Sequence, residues 1–282
     1  MWLFDAALNG FHTATPEWRL QLFRVLLGAA CLLKFTVALT HGGLSRLNPG
    51  TLGRHELVVK YGARDGEWLA RVYQPVLFLR LLAGVALLLG LWPKLAVCVV
   101  VLGLLHERTY APRFNSIYLM LLALCLLPAG ALGTMFDFST RTSSANTWAQ
   151  FLIVVITIDL YWNSAWQKIR SRQFTSGLLL AQFVHFIGRV EHRLTHREFF
   201  YPPVMRRLLG GLDDAAVRRW RVMSLAVIGL EVVLPFGLLI PATHLAALVV
   251  GIAMHLSFSF LMPRQLMGFS VATVSSYVLF LI

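Results

Sequence analysis

The sequence predicts an all-α integral membrane protein, a bundle of about eight transmembrane helices with one amphipathic interfacial helix, forming a single domain over 1–282. Three observations carry that expectation. Apolar residues make up 57% of the chain and charged residues only 13%, with a mean hydropathy of +0.69. Soluble domains instead carry roughly 25% charged and about 45–50% apolar residues. The apolar residues are also gathered into runs near the roughly 20 residues that cross a bilayer. Abundant apolar surface excludes a disordered chain, and sparse charge argues against a soluble enzyme, which would lack the polar groups to cover it.

In chain order, residues 1–19 come first as an interfacial lead-in carrying Trp2, Phe4, Phe11 and Trp18. Asp5, Pro16 and Glu17 stand where a secretory leader would have a basic stretch and a short apolar core, so no cleavable signal peptide is expected. Apolar runs follow at 20–40, 75–92, 95–106, 114–136, 147–166, 222–240, 242–262 and 265–282. Pro93-Lys94 divides the second run from the third, and Pro241 divides the sixth from the seventh. The third becomes long enough only if its helix continues through Glu107 and Arg108. Polar stretches at 41–74 and 167–221 interrupt the pattern. Within the second, 177–200 sets Leu180, Phe183, Val184, Ile187 and Leu194 against Arg189, Arg193 and Arg197, the pattern of a helix lying on the bilayer.

Lys and Arg number 25 against 13 Asp and Glu, a formal net charge of +12. These cations lie between apolar runs, which makes the lipid bilayer the expected partner and not nucleic acid. The positive-inside rule then places the basic loops in the cytoplasm and both termini outside, in a multi-pass cell-membrane protein. Cys31, Cys98 and Cys125 all lie in apolar runs without metal-site spacing and read as small apolar residues.

Arg24, Lys34, Arg80, Asp159, Glu231 and His255 fall inside or at the margins of spans. A charge at the bilayer centre costs at least about 2.5–3.5 kcal/mol, so each needs a partner, a route to the interface or a wet cavity. One reading pairs Arg24 or Arg80 with Asp159 or Glu231 as bundle-fixing ion pairs. The other has these groups line a polar cavity for an anionic or quinone-like ligand. Glu231 is the sharpest case, because Pro235 four residues on frees a backbone carbonyl.

The stretch Asp159-Leu-Tyr-Trp-Asn-Ser-Ala-Trp-Gln-Lys168 ends a span in hydrogen-bonding and aromatic side chains. As an interface anchor it would use Tyr161, Trp162 and Trp166 as an aromatic belt with Lys168 reaching outward. As a site it would offer Lys168 as general base beside Tyr161 and Asn163. His185, His192 and His196, spaced i, i+7 and i+11, share one helical face. His192-Arg-Leu-Thr-His196 resembles a single histidine box of membrane di-iron oxygenases, but the adjacent His pairs of those enzymes are absent, so no metal is expected.

The segment Tyr161-Trp-Asn-Ser-Ala-Trp-Gln-Lys168, followed by Phe174 and Gly177, resembles the signature of HTTM proteins, bacterial relatives of the vitamin K-dependent γ-glutamyl carboxylase. Glu231 through Pro235, Gly251-Ile-Ala-Met-His255 and Phe269-Ser270 are similar to later helices of that family, and Arg24-Val-Leu-Leu-Gly28 to its first. The resemblance implies that Lys168 deprotonates a reduced naphthoquinone-type quinol. Oxygen addition then generates a strong base, which drives modification, carboxylation in the relative, of a peptide or small acid. In the reading built on it, Arg24, Tyr161, Asn163, Glu231 and His255 line a cavity with the in-span charges Arg80 and Asp159, and Trp162 and Trp166 lie against the quinol. Where the carboxylase has Asn-Asn-His-Ser-Tyr, this chain reads Arg113-Phe-Asn-Ser-Ile-Tyr118 without the histidine, and residues 1–282 hold no counterpart of the large soluble domain that docks a propeptide, so no such dock is expected within them. The alternative is a non-enzymatic membrane scaffold, a maturation or immunity factor for an exported peptide.

Overall fold

The computed structural model describes residues 2–40, 43–111, 114–190 and 210–281. Among these, regular structure is helical apart from two strands of two residues each. Helices α1 (Trp2–Leu8), α2 (Glu17–Thr40), α3 (Leu52–Tyr61), α4 (Ala63–Arg71), α5 (Tyr73–Leu89), α6 (Pro93–Tyr110) and α7 (Phe114–Leu124) come first. Then follow α8 (Thr147–Arg170), α9 (Arg172–Thr175), α10 (Leu178–Val190), α11 (Asp214–Leu239), α12 (His244–Leu261) and α13 (Pro263–Ser276). The chain divides into two compact units, 1–156 with 268–279, and 157–267 with 280–282.

Three of the described helices, α2, α11 and α12, are long and apolar enough to cross a membrane. A fourth span results if α4 and α5, bent by 42° at their junction, count as one. The other apolar runs fall short of that length or composition for local reasons. The run at 114–136 is helical only through Leu124, because Pro128, Gly130 and Gly133 cannot sustain a helix beyond it. Helix α6 does continue through Glu107 and Arg108 to Tyr110, although three charged residues dilute its apolar character. Of the amphipathic segment at 177–200, residues 178–190 form α10, and the remainder lies outside the described residues.

In the first unit, α2 and α5 pack antiparallel at small residues, Gly28 against Leu88 and Gly84 against Leu32. Such contacts let apolar helices approach closely. A Cβ at Gly28 would lie 2.5 Å from the Leu88 backbone nitrogen, so Gly28→Val forces the helices apart. The expected cost is about 1–3 kcal/mol, visible as a lowered thermal midpoint of the detergent-solubilised protein. The segment before α2 is held by β1 (Thr15–Pro16), which pairs antiparallel with β2 (Thr142–Ser143). Gln150 Nε2 donates to Thr15 Oγ1 at 3.0 Å and to the Pro16 carbonyl at 3.1 Å, so the start of α8 is tied to the entry of α2. Phe11 closes the corner edge-on to Trp148 and Phe151.

In the second unit, α10 buries Ala181, Val184 and Ile187 against Trp220 of α11, the 3.6-residue stripe that its sequence displays. Gly177, at φ +78°, turns the chain from α9 into α10 directly against the backbone of Trp220 and Arg221. That conformation and that closeness both exclude a side chain.

Candidate functional site

Tyr161, Ser164 and Lys168 are spaced three and four residues apart on α8 and therefore form one stripe. In the second unit this stripe meets Glu231 of α11 and His255 of α12. Lys168 Nζ forms an ion pair with Glu231 Oε1 and donates to Ser164 Oγ at 2.7 Å. Ser164 Oγ in turn donates to Glu231 Oε1 at 3.1 Å, so lysine, hydroxyl and carboxylate close a triangle. The Lys168 side chain is 23% exposed and that of Glu231 only 4%. The site is therefore open on the lysine side and closed behind the carboxylate.

Glu231 Oε2 is buried, and no described group donates to it. Buried polar atoms nearly always have a partner, so an unmatched carboxylate oxygen beside a lysine suits a ligand that brings a hydroxyl or N–H. Pro235, inside α11, removes the donor that would pair with the Glu231 carbonyl in a regular helix. One turn along the α8 stripe, Tyr161 Oη and His255 Nε2 are hydrogen-bonded at 2.7 Å, both buried. Aromatic rings flank Lys168 and His255, and a separate aromatic pair links α8 to α11. The Lys168 ammonium lies 5.7 Å from the Phe174 ring centroid, Phe258 meets His255 edge-on at 5.9 Å, and Trp162 packs 5.4 Å from Phe236. Trp162 is fixed by its Nε1–H donating to the Val232 carbonyl at 3.3 Å.

The other sequence-chosen residues are placed differently. Trp166 is 57% exposed and carries the Arg170 guanidinium over its ring at 5.8 Å. Asn163 is half-buried and accepts from Gln167 Nε2 at 3.2 Å, while Asp159 is exposed. Arg24 and Arg80 belong to the first unit, each with partners of its own. The reading that paired Arg24 or Arg80 with Asp159 or Glu231 is corrected: Glu231 takes Lys168, Arg80 takes Glu107, and Arg24 bonds backbone carbonyls.

Arg24, fully buried, donates from Nε to the Leu132 carbonyl at 3.0 Å and from Nη1 to the carbonyls of Leu87 and Leu88. The last two belong to the C-terminal turn of α5, where unpaired carbonyls and the helix dipole both favour a cation. Arg80 pairs with Glu107 Oε2 and lies 4.2 Å over the Phe35 ring. Lys34 Nζ reaches Glu107 Oε1 at 2.8 Å, and Ser116 Oγ donates to the same oxygen at 3.1 Å.

Two working residues escaped sequence reasoning as site members. Ser164 stands one helical turn from Lys168, and that spacing was a usable signal. Glu107 read as an interface residue, because nothing local reveals two cations converging on it from α2 and α5. His185 Nδ1 lies 3.1 Å from the Gly210 carbonyl, whereas His192 and His196 are outside the described residues. Among the described residues no group of three His, Cys, Asp or Glu stands close enough to hold a metal ion.

Fold and site together define a class: an all-helical chain with membrane-length apolar helices and a half-open lysine set against a buried carboxylate. No protein-family model matches the chain, and neither a curated protein nor a solved structure matches it.

Proposed function

We propose that the chain is a multi-pass cell-membrane enzyme of about eight spans that uses Lys168 as general base on a lipid-soluble hydroquinone, with oxygen driving modification of a peptide or small acid. The observation that carries this reading is the Lys168–Ser164–Glu231 triangle, with one carboxylate oxygen left to receive a donor. A reduced naphthoquinone-type quinol suits these residues: its hydroxyl would donate to Glu231 Oε2, and the Phe174 ring beside the lysine offers its ring an apolar neighbour. The hydroquinone supplies, when bound, the two electrons and the acidic hydroxyl that oxygen chemistry requires.

The chain's own part is proton handling and positioning. A lysine is a base only as the free amine. Glu231, in contact with Nζ, is placed to take up the proton that the lysine must shed before it accepts the hydroxyl proton of the ring. Ser164 bridges both groups and keeps Nζ aimed as the proton moves. Tyr161 and His255, hydrogen-bonded to each other one helical turn away, continue the polar stripe behind the lysine. The HTTM resemblance supports the same assignment through the residues from Tyr161 to Lys168, Glu231 and His255, and in that resemblance the modification is a carboxylation.

The test uses purified protein in nanodiscs, wild type beside Lys168→Ala, both confirmed folded by circular dichroism and monodisperse elution. Reduced naphthoquinone, oxygen and bicarbonate are supplied, and quinone epoxide is followed by mass spectrometry. Epoxide from wild type and a loss of at least about a hundredfold in the variant are expected. Equal epoxide from both overturns Lys168 as base. None from folded wild type overturns the enzyme reading in favour of a scaffold for an exported peptide.

A further inference from the structure

We infer that α9, α10 and the first turns of α11 form a binding site for anionic phospholipid on the second unit, with arginines for the headgroup and an apolar helix face for the acyl chains. The backbone contact between Gly177 and Arg221 brings the end of α8 and α9, with Arg170 and Arg172, to the turns of α11 that carry Arg218 and Arg221. All four arginines are exposed, and among the described residues none of them has a carboxylate partner. The nearby acids, Asp213 and Asp214, belong to the N-terminal end of α11, where carboxylates complement the helix dipole. A cluster of uncompensated cations beside a membrane-length helix is the pattern that attracts acidic headgroups.

The second observation concerns α10. Its core face, Ala181, Val184 and Ile187, is satisfied by Trp220. The opposite face carries Leu178, Leu179 and Phe186, which are 38%, 41% and 60% exposed, and it ends on exposed Arg189. On α8, exposed Trp166 lies under the Arg170 guanidinium and so marks the arginine cluster with an aromatic ring. A face that carries three exposed apolar side chains around the uncharged Gln182, ends on Arg189 and adjoins the arginine cluster is complementary to one class of molecule on a cell membrane, a lipid with an anionic phosphodiester headgroup. A nucleic acid would match the arginines but leave Leu178, Leu179 and Phe186 in water.

Trp166 supplies the probe. Protein is placed in phosphatidylcholine nanodiscs containing increasing fractions of lipid brominated on its chains, either phosphatidylglycerol or phosphatidylcholine. The Trp166 signal is taken as the difference between wild type and Trp166→Phe. Preferential quenching by the brominated phosphatidylglycerol, saturating while that lipid is a minor component, is expected. The preference should fall at least about tenfold in Arg172→Gln/Arg218→Gln/Arg221→Gln, from a few-fold contribution per arginine. The wild-type comparison of the two lipids needs no variant, so equal quenching overturns the site even if the triple variant misfolds. Inorganic phosphate displacing the brominated lipid overturns the lipid assignment in favour of a simple anion site. Binding of a short nucleic-acid duplex by wild type, lost in the triple variant and without lipid preference, overturns it in favour of nucleic acid.

Discussion

Lys168→Met is expected to destabilise the protein by about 3 kcal/mol, more than Glu231→Leu, while the double substitution recovers most of that loss and none of the activity. The asymmetry follows from exposure, since the Glu231 side chain is 4% exposed and that of Lys168 23%. Removing the lysine strands a buried carboxylate. Removing the carboxylate leaves a lysine that can turn its head toward solvent, at a cost of about 1 kcal/mol. Replacing both partners by apolar groups of similar volume removes the desolvated charges together, a change that is often close to neutral. Thermal unfolding in detergent gives the stabilities, and quinone epoxide formation gives the activity. A double variant as stable as wild type and still inactive assigns the loss to chemistry. A double variant that regains turnover would reduce the pair to packing and remove Lys168 from the mechanism.

The same pair shows which parts of this architecture were legible in the sequence. That Glu231 and Lys168 each needed an explanation was readable from one residue and its apolar neighbours, because charge in a span is expensive. Their partnership was not readable, since 63 residues separate them and 94 separate Tyr161 from His255. Long-range pairing depends on which helices become neighbours, and hydropathy is silent about that. Arg24 illustrates a deeper limit. Its partners are the carbonyls of Leu87, Leu88 and Leu132, and a backbone acceptor leaves no mark in the sequence.

Helix length divided along similar lines. The apolar runs that became α2, α11 and α12 were legible because composition and length agree over an uninterrupted stretch. The run at 114–136 misled because hydropathy averages over Pro128, Gly130 and Gly133, whereas a helix responds to each. Face periodicity did better than composition in α10, where the buried stripe of Ala181, Val184 and Ile187 lies on the side that the spacing selects. Periodicity reports a local geometric fact, which tertiary contacts use without having to create.

Glu107→Leu is expected to lower stability by about 3–5 kcal/mol. Glu107 is the carboxylate that receives both Arg80, at 1% side-chain exposure, and Lys34, at 18%. Without it two cations face each other in an apolar surround, and Arg80 has no short path to water: Gly103 sits against its stem and Phe35 covers its guanidinium. The hydrogen bond that Arg80 Nη1 donates to Tyr110 Oη is too long, at 3.4 Å, to take over the charge. Lys34 retains a partial route outward, so the larger share of the penalty falls on Arg80. The double substitution Arg80→Met/Glu107→Leu should therefore recover most of the loss, whereas Lys34→Met/Glu107→Leu should recover little. Thermal midpoints of the three variants in one detergent decide the matter. Equal recovery by both doubles would mean that the arginine reaches solvent by a path other than its present one, and that Glu107 holds the first unit together through Lys34 as much as through Arg80.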